Sequence, residues 1–451
     1  MQGFQAVTTT GIYCRPDCTA RPLARNVRPF ALASAAEAAG YRACLRCRPY
    51  RTDLVTATGP EVVCRAVHLV LDGALDDGKE AALAARLGVS ARHLRRLFQE
   101  HLGVTPDQLA RSRRAHFARR LLDDTDLSVT DIAFAAGFGS LRQFNRICVE
   151  VFRASPLELR SRRRVADRLV ADGGLTLRLP FQGPLAWDVM LDYFAARAIP
   201  GVEHVEDDTY RRTIVVGGDP GVLELRPGGA DHLLLRAHLP HWEGLIHLAQ
   251  RARRIFNLDA DLDAAAEQLG RQRGLGPRLR AEPGLRPPGT WDAFETGVRA
   301  IIGQQVSIAG ATTISGRLVE RCGTPVPGLA TLGLTHVFPT PATLAEADLT
   351  GIGLPGTRAA AVRAFALAVQ DGRVRLDRSV GLDDLLASIV AVPGLGPWTA
   401  NYLALRLGEA DAFPASDLVL RRQVEELGID PEGWRPWRAY AALHLWRRAT
   451  S

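Results

Sequence analysis

Two close cysteine pairs constrain the start of this 451-residue chain more than any other feature: Cys14 and Cys18 in YCRPDC, and Cys44 and Cys47 in ACLRC. A segment of about fifty residues has too little interior to fold on apolar burial alone. Two cysteine pairs separated by a loop are how a tetrahedral four-thiolate zinc site is usually assembled, and binding the metal would then supply folding free energy. On spacing alone, a purely structural zinc is the commoner outcome. The remaining cysteines are Cys64, Cys148 and Cys322. An odd total, in a chain opening MQGFQAVTTTG with neither a basic nor an apolar leader segment, argues against a disulfide scaffold and for the cytoplasm.

The chain is too long for one core, and about three or four domains is the natural prior. It reads as multidomain and mainly α. A small four-cysteine zinc domain (1–56) is followed by a double helix-turn-helix region (57–160) and a basic linker (161–174). A small α/β domain (175–242) and an all-α domain (243–451) complete it. The α/β assignment rests on LTLRLP, RTIVVGG, VLELRP and HLLLRAHL, which alternate as strands do, around a helical stretch at 186–199. Helical periodicity then returns, broken by Pro/Gly-rich loops near 274–289 and 323–328. No run of about eighteen apolar residues exists, so no membrane span is expected.

Charge divides unevenly along this plan. Residues 1–170 carry 27 Arg and Lys against 17 Asp and Glu, whereas the remainder carries 29 against 32. The front of the molecule thus has the electrostatic footprint for a polyanion, although a basic face can also be merely solvated.

In EAALAARLGVSARHLRRLFQEHLGVTP (80–106) a helix, a Gly-Val-Ser turn and a second helix follow one another, with Ser90 as N-cap of the second. Arg92, His93, Arg95 and Arg96 would face a major groove. A second unit, VTDIAFAAGFGSLRQFNRICVEVFRASPLELR (129–160), resembles the AraC-type activator signature, with Leu141, Arg142, Gln143 and Arg146 as base or phosphate candidates. Further upstream, TTGIYCRPDC, RNVRPF and GYRACLRC resemble the amino-terminal domain of Ada-type adaptive-response proteins. That resemblance implies one zinc held by Cys14, Cys18, Cys44 and Cys47. It makes Cys14 the acceptor of a methyl group from DNA methylphosphotriesters, and methylation the switch for transcription. Arg21, Arg25 and Arg28 are candidate phosphate contacts.

In the carboxy-terminal half, VPGLGPWTANYLALR (392–406) fits a helix-hairpin-helix. Gly394 and Gly396 would permit the tight turn and bring backbone N–H groups against a phosphate. With DAFPASDLVLRR (411–422), YAALHLW (440–446) and AFETGVRAIIGQQVS (293–307), it resembles AlkA-type 3-methyladenine DNA glycosylases from about Leu175 to Trp446. The resemblance implies Asp417 as the catalytic aspartate, Trp398, Tyr402 and Trp446 as the base pocket, and Gln305 at the position that enters the emptied base stack. That position is aliphatic in the family, so a glutamine there is a departure. Asp417 also reads as a helix N-cap, and any one of the aromatics could equally be ordinary core.

Strand-cutting relatives commonly use a lysine to form a Schiff base. Trp398 occupies that position here, and Lys79 is the only lysine in the chain. A monofunctional glycosylase is therefore expected. No cysteine follows Cys322, so no iron–sulfur cluster is expected. No PCHR element of an O6-methylguanine methyltransferase occurs. Double-stranded DNA, alkylated or at promoters, and RNA polymerase are the partners implied. Two alternatives stand beside this reading: a glycosylase whose front half only targets DNA, and a regulator whose glycosylase body is a degenerate sensor.

Overall fold

The computed structural model describes residues 3–52, 59–76, 78–164, 167–169 and 174–449. The chain divides into two compact units, one of Met1–Phe181 with His241–Gln250, the other of Gln182–Pro240 with Arg251–Ser451. The boundary read at 56/57 and part of the linker read at 161–174 lie outside the described residues. No helix among the described residues is long and apolar enough to cross a membrane.

In the first unit β1 (Phe4–Val7), β2 (Ile12–Cys14), β3 (Val27–Phe30) and β4 (Arg42–Ala43) form a sheet in the order β3-β1-β2-β4, with α1 (Ala33–Ala38) preceding β4. Strands of two to four residues are too short to show alternation, which is why the sequence reading contains no sheet here. The parallel register pairs Tyr13 with Ala43, and the Cys44 amide donates to the Tyr13 carbonyl at 3.0 Å. This register brings the two cysteine pairs together.

Seven helices follow: α2 (Glu61–Leu71), α3 (Glu80–Arg86), α4 (Ala91–Leu102), α5 (Pro106–Asp124), α6 (Val129–Ala135), α7 (Leu141–Phe152) and α8 (Pro156–Ser161). The strand β5 (Leu175–Pro180) comes after them. The pairs α3–α4 and α6–α7 repeat one local grammar. Ser90 and Ser140 cap α4 and α7 by accepting from the amides three residues on, both at 3.2 Å. Gly103 and Arg153 end those helices in the left-handed region. Thr105 and Ser155 then open the next helix with a capping box, each followed by proline. Gly88, at φ +71°, makes the turn between α3 and α4, a conformation that costs glycine little.

The long helix α5 ties the small sheet to the helices through buried charge. Asp123 is fully buried and accepts from Arg119 Nη1 at 2.6 Å and from the Tyr50 hydroxyl at 3.1 Å. Arg48 and Arg51 approach it at 3.9 and 3.7 Å, and both also pair with Asp167. Beside this network the Tyr13 hydroxyl donates to Glu37 at 2.6 Å, and His116 of α5 meets the same carboxylate oxygen at 2.5 Å.

The second unit holds α9 (Trp187–Ala195) and the strands β6 (Glu203–Glu206), β7 (Thr209–Val216), β8 (Asp219–Pro227) and β9 (His232–His238), consecutive and antiparallel. The helix α10 (Leu245–Ile255) begins in the segment counted with the first unit and ends in the second. Next come α11 (Leu262–Leu269), α12 (Gly276–Ala281), α13 (Ala293–Ile302) and α14 (Ile308–Cys322). A short β10 (Thr324–Pro325) and β11 (His336–Val337) pair, and α15 (Pro341–Glu346), α16 (Gly356–Gln370), α17 (Leu382–Val390), α18 (Pro397–Arg406), α19 (Leu418–Leu427) and α20 (Arg438–Ala449) complete the chain. The loops read at 274–289 and 323–328 therefore contain a helical turn and half of a two-residue ladder, both too short to give a period. An apolar core runs through α13, α16 and α18, with Phe294 and Phe365 stacked at 5.7 Å. Arg212 of β7 clasps the sheet to α13, donating to Glu295 at 2.6 Å; Arg299 of α13 returns the contact to Glu203 of β6 at 2.9 Å.

Removing Asp123 strips the partner from buried Arg119 and loosens Arg48. Asp123→Ala is expected to lower the stability of the first unit by about 3–5 kcal/mol. Urea unfolding followed by a probe in α5 checks this, and an unchanged midpoint would show that the network carries no net stability.

Candidate metal centre and active site

The four sulfurs of Cys14, Cys18, Cys44 and Cys47 lie within 4.8 Å of one another, and theirs is the only such cluster among the described residues. Tetrahedral zinc–thiolate geometry, with bonds of about 2.3 Å, sets the sulfurs about 3.8 Å apart, so this set fits zinc with a small contraction. Cys14 and Cys44 are buried, Cys18 and Cys47 half-buried. Burial, and then the neighbouring Cys44, Cys47 and Cys18, push the Cys14 thiol well above its ordinary range. Burial likewise takes Cys47 up to about 12, with Cys44 and Cys18 adding to it. Four sulfurs so placed cannot all ionise without a cation among them, and a divalent metal removes that cost. Backbone N–H groups meet the remaining charge: Arg15 donates to Cys47 at 3.5 Å, and the amides of Cys47 and Arg46 bond Cys44.

In the same segment Arg21, Arg25 and Arg28 are exposed, Arg28 lying over the Phe30 ring at 5.1 Å. On α4, Arg92, Arg95 and Arg96 are exposed and His93 is half-buried. Arg95 pairs with Glu80 of α3, and Arg96 lies 3.6 Å from Glu100. On α7, Leu141, Arg142 and Arg146 are exposed, while Gln143 accepts from the Gly139 amide at 3.1 Å. Both second helices thus present an arginine-bearing face to solvent.

In the second unit α17 and α18 meet at Val392–Gly396. Gly394 has φ +87°, and a Cβ there would lie 2.7 Å from that of Ala361, so both backbone and space require glycine. Gly396 is the N-cap of α18, with Pro397 at its first position. Gln304 ties the loop after α13 to this hairpin, donating to Thr399 at 3.0 Å and to the Gly394 carbonyl at 3.4 Å. Its neighbour Gln305 is exposed, adopts φ +57° and accepts from Arg358 at 3.4 Å.

Trp398, Tyr402, Trp446 and Asp417 come together. Trp398 and Tyr402 stack at 5.1 Å and 6°, and Trp446 meets Tyr402 edge-on at 6.5 Å. Asp417 caps α19 with Oδ1, accepting from the amides of Val419 at 3.0 Å and Leu420 at 3.1 Å. Trp446 Nε1 donates to the same oxygen at 3.0 Å, and Trp398 Nε1 donates to Oδ2 at 3.1 Å. Three donors on Oδ1 and one on Oδ2 fix the carboxylate at a helix N-terminus and leave Oδ2 with acceptor capacity.

Known families match successive segments of the chain. Residues 2–50 match the metal binding domain of Ada, 83–162 a helix-turn-helix domain, 176–292 the AlkA N-terminal domain, and 298–448 the HhH-GPD superfamily of base excision DNA repair proteins. A probable bifunctional transcriptional activator/DNA repair enzyme AlkA of Mycobacterium tuberculosis is 40% identical, the alignment covering 98% of this chain and 92% of that protein. The chain belongs to this family of bifunctional activator/repair proteins. DNA-3-methyladenine glycosylase 2 of Escherichia coli is 37% identical over 59% of this chain and 95% of its own length. The solved 3-methyladenine DNA glycosylase of Archaeoglobus fulgidus superposes with a TM-score of 0.53 at 21% identity, over 61% of this chain and 99% of its own, a likeness of fold.

For a member of this family the structure adds residues that the sequence reading passed over. Arg406 and Tyr193 lie behind Tyr402: Arg406 Nη1 donates to the Tyr193 hydroxyl at 2.9 Å and the Tyr402 hydroxyl at 3.1 Å. Arg406 had a local signal, because Trp398, Tyr402 and Arg406 are spaced i, i+4 and i+8 on one helix face. Tyr193, more than two hundred residues away, had none beyond its place in DYFAARAI.

The metal centre predicts a measurable stoichiometry. Purified protein is expected to carry one zinc per chain, lost in Cys44→Ser and retained when Cys64, Cys148 and Cys322 are all replaced by serine. Metal content by mass spectrometry decides it, and zinc retained by Cys44→Ser would remove that residue from the ligand set.

Proposed function

We propose that this chain repairs alkylated DNA in two ways and regulates transcription in response. The observation that carries the reading is the Asp417 carboxylate, fixed by four N–H donors between two tryptophans behind a helix-hairpin-helix. The metal-binding and helix-turn-helix parts, in the same chain, supply the regulatory half. The proposed domains are 1–56, 57–160 with a linker at 161–174, 175–242 and 243–451.

The glycosylase substrate is a purine alkylated at N3 or N7, of the 3-methyladenine type. Its positive charge makes it a good leaving group, so the enzyme needs mainly to extrude it, stack it and stabilise the sugar left behind. Gly394 and Gly396 offer backbone N–H groups to a phosphate, and Gln305 enters the emptied stack. Trp398, Tyr402 and Trp446 hold the base by stacking and cation–π attraction. As the glycosidic bond breaks, its electron pair leaves with the base and neutralises it. The Asp417 anion faces the oxocarbenium-like sugar and directs the water that adds to it. With Trp398 where a lyase would need lysine, the product is an abasic site. The reading includes no iron–sulfur cluster.

In the first unit zinc, when bound, keeps the four sulfurs as thiolates at neutral pH. Cys14 Sγ attacks the methyl carbon of a methylphosphotriester. A sulfur–carbon bond forms, the carbon–oxygen bond breaks, and the phosphodiester leaves as an anion. The thioether does not turn over. Methylation removes one negative charge facing the DNA backbone, which tightens binding by Arg21, Arg25 and Arg28 in the front module and by Arg92, Arg95, Arg96, Arg142, Gln143 and Arg146 on the two recognition helices. Promoter binding then recruits RNA polymerase. A cytoplasmic location accords with reduced cysteines and a DNA substrate.

Intact and peptide mass spectrometry after mixing zinc-loaded protein with methylated DNA, with released bases scored alongside, tests both halves. One added methyl on the Cys14 peptide together with free 3-methyladenine is the expected result. A methyl found on Cys18 or Cys47 would reassign the acceptor, and none at all would reduce the front half to a DNA-binding module. Asp417→Asn is expected to slow excision on the order of 100-fold or more while leaving methyl uptake intact. Excision at the wild-type rate would rule Asp417 out.

A further inference from the structure

The pocket wall rests on a buried cation. Arg406 is 5% exposed, and its Nε and Nη2 donate to the carbonyls of Pro288 and Gly289, both at 2.7 Å. With two carbonyls fixing the guanidinium, Nη1 reaches the hydroxyls of Tyr193 and Tyr402, which lie 3.0 Å from each other. Arginine only donates, so both phenol oxygens accept from it. With Tyr193 donating across the pair, the Tyr402 oxygen receives two hydrogens, and its own proton is the one the cluster does not use. Electrostatics runs the same way. Burial opposes ionisation of Tyr402, but Arg406, the Tyr193 hydroxyl and Arg197 outweigh it and bring the phenol down to about 8. Burial takes Tyr193 up to about 12, against the pull of Arg406. The groups that face Tyr402 are thus Arg406 on its own helix, Tyr193 on α9 and Arg197 just beyond that helix. Glu203 of β6 acts on Arg406, and Asp417 is held by the two flanking tryptophans.

We propose that Arg406 and Tyr193 make the Tyr402 oxygen the charge-reading wall of the pocket, so that Arg406 is a positioning residue that sets the preference for positively charged over neutral flipped bases. The inference rests on the reading of Trp398, Tyr402 and Trp446 as the base pocket, and deepens it. With Tyr402 protonated, the Arg406–Tyr402 pair carries a net positive charge and opposes a cationic base. With Tyr402 ionised, its proton released to solvent, the pair is neutral and the phenolate oxygen attracts that base. Excision of cationic bases should therefore gain on excision of neutral ones as pH rises through the Tyr402 transition.

The test pairs a spectroscopic titration with single-turnover excision on the full-length protein, each from about pH 6 to about pH 10. Ultraviolet difference absorbance is expected to show one tyrosine ionising near 8, absent in Tyr402→Phe and shifted upward in Arg406→Gln. On DNA carrying 7-methylguanine or the neutral base hypoxanthine, the wild-type rate ratio is expected to rise about tenfold across that transition and to stay flat in Arg406→Gln. Comparing variants on the same DNA cancels the substrate's own ionisation. Tyr193→Phe removes a single oxygen and keeps the packing, and is expected to give an intermediate shift if Arg406→Gln does not fold. Wild-type protein that excises both bases in a ratio indifferent to pH, or a ratio unchanged by both Arg406→Gln and Tyr193→Phe, would overturn this inference alone. Wild-type protein that excises neither base would overturn the pocket reading and this inference with it.

Discussion

Buried guanidinium groups paired with buried carboxylates are the interaction on which both units depend. An arginine taken out of water without a carboxylate or carbonyl to meet it costs several kcal/mol. Two such clasps sit where a sheet meets a helix. Arg119 and Arg48 close on Asp123 between the small cysteine-bearing sheet and α5. Arg212 and Arg299 close on Glu295 and Glu203 between β6, β7 and α13. Such clasps are directional where apolar packing is not, so they set the angle at which one layer meets the next. In the second unit the consequence reaches the site, because Arg299 also donates to the Arg197 carbonyl on the segment that ends α9, the helix that supplies Tyr193.

What was legible in the sequence is what is local. The four cysteines stand close in sequence within each pair. The Ser90 cap of α4 lies three residues from the amide it accepts from, and the hairpin glycines sit in a run of five residues. Each is decided by chemistry within one turn of chain. The clasps were not legible: Arg212 and Glu295 are 83 residues apart, Glu37 and His116 79. Nothing in the composition of either neighbourhood distinguishes these side chains from the many solvated arginines and glutamates. The front sheet escaped for a different reason. Its strands are too short to show alternation, and the register that sets Tyr13 opposite Ala43 joins positions well apart in sequence.

For Asp417 the structural role and the proposed chemical role need not compete. As an N-cap it is immobilised by the first amides of α19, and the two indole N–H groups then fix the orientation of its plane. A carboxylate so held does not have to reorganise when positive charge develops beside it, and that preorganisation is the main source of electrostatic stabilisation in a water-poor site. An alkylated purine departs without needing to be protonated, so the proposed chemistry needs a fixed negative charge more than a proton acceptor. The two chemistries thus contrast in how they use sulfur and oxygen. In the proposed chemistry a metal-held thiolate forms a bond and is spent, whereas a carboxylate held by four donors acts by its field and is unchanged.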